Sequence, residues 1–204
     1  MIKHATLLVT ALILSACQIL PERPDVALYQ LPPSTIGSAV EADSSATVSL
    51  RLDRPGTSDA LGGNRILVLT ADNSFAAYPG ARWSAPVPTL WRDWLLDAFW
   101  RDGSVNQLSV AADGLQAQFE LSGMLRALHT EFDDGRTQAV IRYDALLIDT
   151  RSREIVASQR FEAREPSAGN TAESAVAALG VAADRLAGEL IDWTLAQWQG
   201  QVRD

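Results

Sequence analysis

Few residues in this 204-residue chain have the chemistry for catalysis or metal binding. There is one cysteine, Cys17, and two histidines, His4 and His129. A single thiol forms no disulfide within the chain, so a small stapled scaffold is excluded. One thiol and two distant imidazoles also fall short of a zinc constellation or a Cys-His pair. No Gly-x-Ser-x-Gly elbow, Gly-x-x-x-x-Gly-Lys loop or Gly-x-Gly-x-x-Gly turn is present, and Leu61-Gly62-Gly63-Asn64 lacks the lysine that reaches a phosphate. Asp133-Asp134-Gly135 lacks the spaced oxygen ligands of a calcium loop and reads as a hairpin turn. No catalytic residue, metal or cofactor is therefore expected, although sequence leaves open an acid pair assembled in space.

The surroundings of Cys17 are more informative. Met1-Ile2-Lys3-His4 is a basic start, and Ala5 to Leu14 is an uncharged run. That run is too short for a bilayer span, which takes roughly 20 apolar residues. A basic start, a short apolar core and small residues have the layout of a secretory signal. Leu14-Ser15-Ala16-Cys17 then resembles the lipobox of bacterial lipoproteins. The resemblance implies cleavage before Cys17, a diacylglyceryl group on its thiol and an acyl group on its new amine. Several acyl chains hold a protein at a membrane where one is marginal. Residue 18 is Gln, not the Asp that retains enteric-type lipoproteins in the inner membrane, so the analogy directs the anchor to the outer membrane, facing the periplasm.

Removing 16 of 204 residues leaves 188 and takes away Lys3, the only lysine. The formal charge of −8 becomes about −9. Such a chain has no cationic surplus to displace counterions from nucleic acid, so no nucleic-acid partner is expected. Nor does it cling to an anionic membrane by overall charge, which leaves attachment to lipid at Cys17.

The elements that carry these residues divide the chain into a signal at 1–16, a lipidated tether at 17–46 and one domain at 47–204. Pro21, Pro24, Pro32 and Pro33, with the small and polar residues from Ser34 to Ala46, mark the tether. Its roughly 30 residues reach about 100 Å when extended, and Val26 to Leu31 is a candidate short strand docking on the domain. Thr47 to Leu52 alternates like a strand, and Ile66 to Leu69 suits a buried central one. Phe119 to Ala127, Ala139 to Leu147 and Ile155 to Phe161 form an antiparallel meander. A helix is expected from Pro86–Thr89 to about Asp102 before Gly103, with Val87, Leu90, Trp91, Trp94, Leu95, Ala98 and Phe99 on one face. A second helix starts at a cap pair of Asn170 and Glu173 and carries the stripe Val176, Leu179, Ala183, Leu186, Leu190 and Trp193. Gly180 and Gly188 each cost it about 1 kcal/mol relative to Ala. The fold class is α/β, a single domain with a mixed five-stranded sheet, flanking helices and a long C-terminal helix.

Six of the fourteen aromatic residues are Trp. Trp91 and Trp94 lie on their apolar stripe. Trp100 and Trp198 lie off theirs, which makes them candidates for a partner or lipid surface.

Several segments together resemble one family. They are the lipobox, Tyr29-Gln30-Leu31-Pro32-Pro33, Leu52-Asp53-Arg54-Pro55, Arg82-Trp83-Ser84-Ala85-Pro86 and Ala157-Ser158-Gln159-Arg160-Phe161 before an alanine-rich helix. These resemble the ABC-type transport auxiliary lipoproteins, including the PqiC-like outer-membrane lipoproteins. Where that family ordinarily has Tyr before Leu-Asp-Arg-Pro, this chain has Arg51. The resemblance implies an anticodon-binding-domain-like fold and a non-catalytic periplasmic domain. Its implied partner is an ABC transporter or a membrane complex with mammalian-cell-entry (MCE) domains that moves lipid between membranes. An oligomeric ring suits an adaptor of that kind. Cys17 carries over as the functional position, with Asp53, Arg54, Pro55 and Trp83 as motif residues. Asp53-Arg54-Pro55 is most simply a strand-ending turn, with partner binding the alternative. Two other readings remain at this stage: a periplasmic carrier holding an acyl chain in an apolar cavity, and an envelope hydrolase using carboxylates grouped in space.

Overall fold

A computed structural model of the chain describes residues 25–37, 48–133 and 135–201. Cys17, the signal at 1–16 and Asp134 lie outside them.

The organising element is β7 (Phe119–Asp133). Along one edge it receives three short parallel strands in succession: β2 (Ser49–Leu52), β3 (Gly56–Thr57) and β4 (Arg65–Leu69). Its other edge pairs antiparallel with β8 (Arg136–Asp149), which pairs with β9 (Glu154–Pro166). Outside β4 lies β5 (Phe75–Trp83), antiparallel, and outside β5 lies β1 (Ala27–Tyr29), parallel. The parallel strand β6 (Gln107–Val110) closes the sheet beyond β2. The mixed α/β reading holds, with a sheet of nine strands among the described residues instead of five. Strand β1 falls within the segment expected to dock, and the meander is β7, β8 and β9.

Helix α1 (Val87–Asp102) and helix α2 (Ala172–Gln201) cover one face of the sheet. Prolines at 86 and 88 start α1, and Gly103 ends it in the left-handed conformation at φ 77, its N–H donating to the Phe99 carbonyl. The expected face of α1 is buried in full. In α2 the cap moves one residue along: the Ser174 amide bonds Thr171 Oγ1. Asn170 accepts instead from the Thr137 hydroxyl, and Glu173 from the Tyr29 hydroxyl. The expected cap pair is thus corrected, because both its side chains are held by distant elements.

Strand β8 keeps a period of two, with Ala139, Ile141, Tyr143, Ala145 and Leu147 facing the helices. Strand β7 does not. Three steps from Leu125 to Leu128 oppose two from Tyr143 to Ile141, a bulge at Arg126 that changes the parity of the strand. Leu128 and Thr130 therefore face inward, and Ala127 and His129 turn to the outer face. Gly123 allows the sheet to close nearby: at φ 145, a Cβ there meets the Asp144 carbonyl oxygen at 2.0 Å.

Candidate functional site

Of the expected motif segments, Tyr29 to Pro33 and Arg82 to Pro86 meet where the N-terminal segment reaches α1, whereas Asp53-Arg54-Pro55 lies apart on β7. Residues 25–37, which the expected boundary at 46 leaves in the tether, pack on the domain. Strand β1 pairs with Ala81 to Trp83, and the Ser84 amide donates to the Tyr29 carbonyl at 2.8 Å. The chain then crosses both helices as a strap. Trp94 Nε1 donates to the Pro32 carbonyl at 2.7 Å, and Leu31 is buried. The Pro32 ring lies on α2 at Gly180, where a Cβ meets its Cγ at 2.7 Å. Farther along α2, the Asp184 carboxylate accepts from Ser34 Oγ at 2.7 Å, the Thr35 amide at 3.1 Å and Thr35 Oγ1 at 2.6 Å. The proline-rich composition that reads as tether is used as a preformed extended segment: prolines lack the N–H that would need a partner, and the remaining polar groups bind Asp184.

Trp83 is buried at the root of this strap. Its amide donates to the Asn64 carbonyl, and the Val87 amide, first of α1, donates to the Gly63 carbonyl. The Gly62-Gly63-Asn64 stretch thus accepts from the helix N-terminus through its carbonyls. Trp91 stacks on Trp94 at 5.8 Å and meets Tyr143 edge-on at 6.1 Å. Trp83 Nε1 and Trp91 Nε1 are buried without a hydrogen-bond partner. Each forgoes a hydrogen bond, a cost of about 1–3 kcal/mol, which burial in the core offsets.

Asp53, Arg54 and Pro55 bridge β2 and β3 along β7. Four residue steps from Leu52 to Gly56 oppose three from Leu121 to Met124, so the motif absorbs one extra residue. The Asp53 amide donates to the Leu121 carbonyl, and its carboxylate accepts from the Arg54 amide at 2.7 Å and Ser122 Oγ at 3.3 Å. Each of these contacts is local to the strand break.

Of the two off-stripe tryptophans, Trp100 is 54% exposed. Trp198 is 5% exposed and stacks on Phe119 at 6.4 Å. The expectation that its helix turns it outward is corrected, because the end of α2 lies over the start of β7. Of the pair, Trp100 alone offers an exposed ring.

His129 is 4% exposed and packs edge-on against Phe75. Neither ring nitrogen has a hydrogen-bond partner, and the Glu131 carboxylate is 3.8 Å from Nε2. Burial pushes its pKa down to about 4, against the opposing pull of Glu131 and helped by Arg142 and Arg164. The ring is a packed, neutral group near neutral pH. Around it, ion pairs lace the outer face of β7 to β9. Asp144 binds Arg126 and Arg160, and Glu162 binds Arg142 and Arg164; the arginine hydrogen bonds hold both carboxyls down at about 2. These acids are held ionised, the opposite of a general acid tuned upward.

The grooves are open to solvent. One of about 340 Å³ runs between the strap and α1 beside Leu31, Pro33, Trp94 and Asp97. Another, of about 440 Å³, lies beside Arg51, Leu115, Glu120 and Arg153. Among the described residues no three His, Cys, Asp or Glu are grouped to hold a metal, and no helix is long and apolar enough to cross a membrane.

A family model described as ABC-type transport auxiliary lipoprotein component matches residues 29–190, from the strap through most of α2. No curated protein matches. The crystal structure of protein XCC0632 from Xanthomonas campestris superposes with a TM-score of 0.78 at 20% identity, over 87% of this chain and 100% of that one. An uncharacterized protein gives 0.63 at 17% identity, over 81% and 96%. The hypothetical protein CT253 from Chlamydia trachomatis gives 0.49 at 10% identity, over 73% and 96%. At these identities the first two likenesses show a shared fold.

Proposed function

From the premise that this chain belongs to the ABC-type transport auxiliary lipoprotein component family, we propose that it is an outer-membrane lipoprotein, anchored through Cys17 on the periplasmic face, that docks a transenvelope lipid-transport assembly. The partner in this reading is an ABC transporter or an MCE-domain complex, and the role is adaptor or receiving end, without catalysis. The observation that carries it is the strap. The segment leading from the lipobox is bonded to both helices, through Trp94 and Asp184. An anchor at Cys17 therefore holds the whole domain in place instead of a loose end. The auxiliary role of the family supports the non-catalytic part, as do a histidine packed without a hydrogen-bond partner and acids locked to arginines.

The test is crosslinking in cells followed by partner identification, with Cys17→Ala as the placement control. An ABC or MCE component should be captured, and its capture should depend on Cys17. Deletion of the gene should disturb outer-membrane lipid asymmetry and permeability. A normal barrier after deletion, together with no transporter component in the crosslinked material, overturns the reading.

A further inference from the structure

The β1 edge of the sheet carries, on its outer face, an arrangement of charge that the fold itself leaves unpaired. In the sheet register, Leu28 of β1 opposes Arg82 of β5, and Arg82 opposes Arg65 of β4. Ala81, Trp83 and Ile66, which flank the two arginines, are buried on the helix side, so Leu28, Arg82 and Arg65 form one row across the outer face. All three are exposed, Leu28 at 69%, and Val26, two residues before Leu28, is exposed as well. Like charges directly opposite on neighbouring strands destabilise a sheet. Elsewhere on the outer face Arg126, Arg142, Arg160 and Arg164 each bind a carboxylate. Arg65 and Arg82 have no ion-pair partner among the described residues, although the chain carries 25 acidic side chains. A cationic pair left open in an acidic protein, next to exposed aliphatic side chains, fits an external anion beside an apolar layer.

The position of the row in the chain puts a membrane surface within its reach. Eight residue steps separate Cys17 from Asp25, where the described residues begin, and eight steps span at most about 28 Å. Arg82 stands one strand further into the sheet and Arg65 two. A body of this size has a radius of gyration of about 16 Å, so an anchor at Cys17 brings the β1 edge within reach of the bilayer.

We propose that the row of Leu28, Arg82 and Arg65 is a second membrane contact: the two guanidiniums bind phospholipid phosphates of the leaflet that holds the anchor, and Val26 and Leu28 enter its interface. The proposal rests on lipidation at Cys17 and goes beyond it, because it fixes which face of the domain meets the membrane. A guanidinium matches a phosphate in bidentate fashion, and each basic side chain near an anionic surface shifts the docked population about fivefold.

The test uses the full acylated chain in vesicles of phosphatidylethanolamine and phosphatidylglycerol containing lipids with a quencher on the acyl chain. Acylation consumes the Cys17 thiol, so Leu28→Cys supplies the one free thiol for an environment-sensitive fluorophore. The label at 28 should be quenched, and a label at Ile155→Cys, also exposed on β9, should not. Arg65→Glu with Arg82→Glu should lower the ratio of docked to undocked protein by 25-fold or more, and Arg65→Gln with Arg82→Gln should lower it about 25-fold without reversing charge. Equal quenching at 28 and 155, or quenching at 28 that survives both pairs of substitutions, overturns the proposal while leaving the anchor intact. An intact mass without acyl groups overturns the anchor and the proposal with it.

Discussion

Two glycines in α2 supply a sharp test of the strap. A Gly inside a helix costs about 1 kcal/mol relative to Ala, so by helix propensity alone each Gly→Ala substitution stabilises the helix by that amount. At Gly188 nothing lies within 4 Å of the added Cβ, and Gly188→Ala should gain the full amount. At Gly180 the same methyl lands 2.7 Å from Pro32 Cγ and 2.9 Å from its Cδ, well inside the 3.5–4.0 Å at which carbon atoms attract. The ring has no cheap way out. Trp94 holds the Pro32 carbonyl, Leu31 is buried on one side and Asp184 binds residues 34 and 35 on the other. Overpacking of that kind costs about 1–3 kcal/mol, so the net for Gly180→Ala runs from about zero to a loss of about 2 kcal/mol. The two variants should differ by about 1–3 kcal/mol. For a chain of this length each kcal/mol moves Tm by about 2–4 °C. Thermal melting should therefore show Gly188→Ala above the parent and Gly180→Ala at or below it. Amide exchange locates the damage: the amide of Thr35, which bonds Asp184, and that of Ile36, which bonds Ser34, should exchange faster in Gly180→Ala alone. Equal stabilisation by both substitutions, with exchange at Thr35 unchanged, refutes the placement of the strap on α2.

Gly123→Ala forces a methyl to 2.0 Å from the Asp144 carbonyl oxygen at φ 145, so it should cost several kcal/mol and yield little folded protein, read by expression and denaturant titration. Trp198→Ala should lose about 3–5 kcal/mol through the cavity beside Phe119, whereas Trp100→Ala should change stability by less than about 0.5 kcal/mol and act only on partner capture. His129 gives a pH signature. The unfolded chain takes up a proton near pH 6.5 that the folded chain refuses until about pH 4, so stability is full above pH 6.5 and falls by about 3 kcal/mol through that window. Denaturant titration across pH should show this step disappear in His129→Leu. The further loss below pH 4, as Asp144 and Glu162 protonate, should persist.

The helices and the meander were legible because their periodicity is set by burial on one face: α1 lies within a residue or two of its expected limits, and β8 buries every second residue from Ala139 to Leu147. Strand β5 was not, because Tyr78-Pro79-Gly80 reads as a turn. The sheet tolerates it where the β4–β5 register slips between Arg65 and Leu67, with Gly80 at φ 64. The two residues of β3 and the four of β6 carry too little pattern to announce themselves. Of the candidate site, the motif segments were visible as words but their meeting was not. No local signal tells that Tyr29 reaches Glu173 or that Ser34 reaches Asp184, more than 140 residues away. Proline-rich composition carries the same signature in a free linker as in an extended segment pinned by side chains from elsewhere.

Arg51 shows a charge that the sheet register compensates. It precedes Leu52-Asp53-Arg54-Pro55 and lies opposite Glu120 in the β2–β7 register, its guanidinium bonded to that carboxylate. The two positions form a unit: the charge on β2 is met on β7, beside the strand break that follows. Arg65 and Arg82 are also opposite one another, but with the same sign. Sheet register thus separates a charge that the fold pairs from a like-charged pair that it leaves open to solvent.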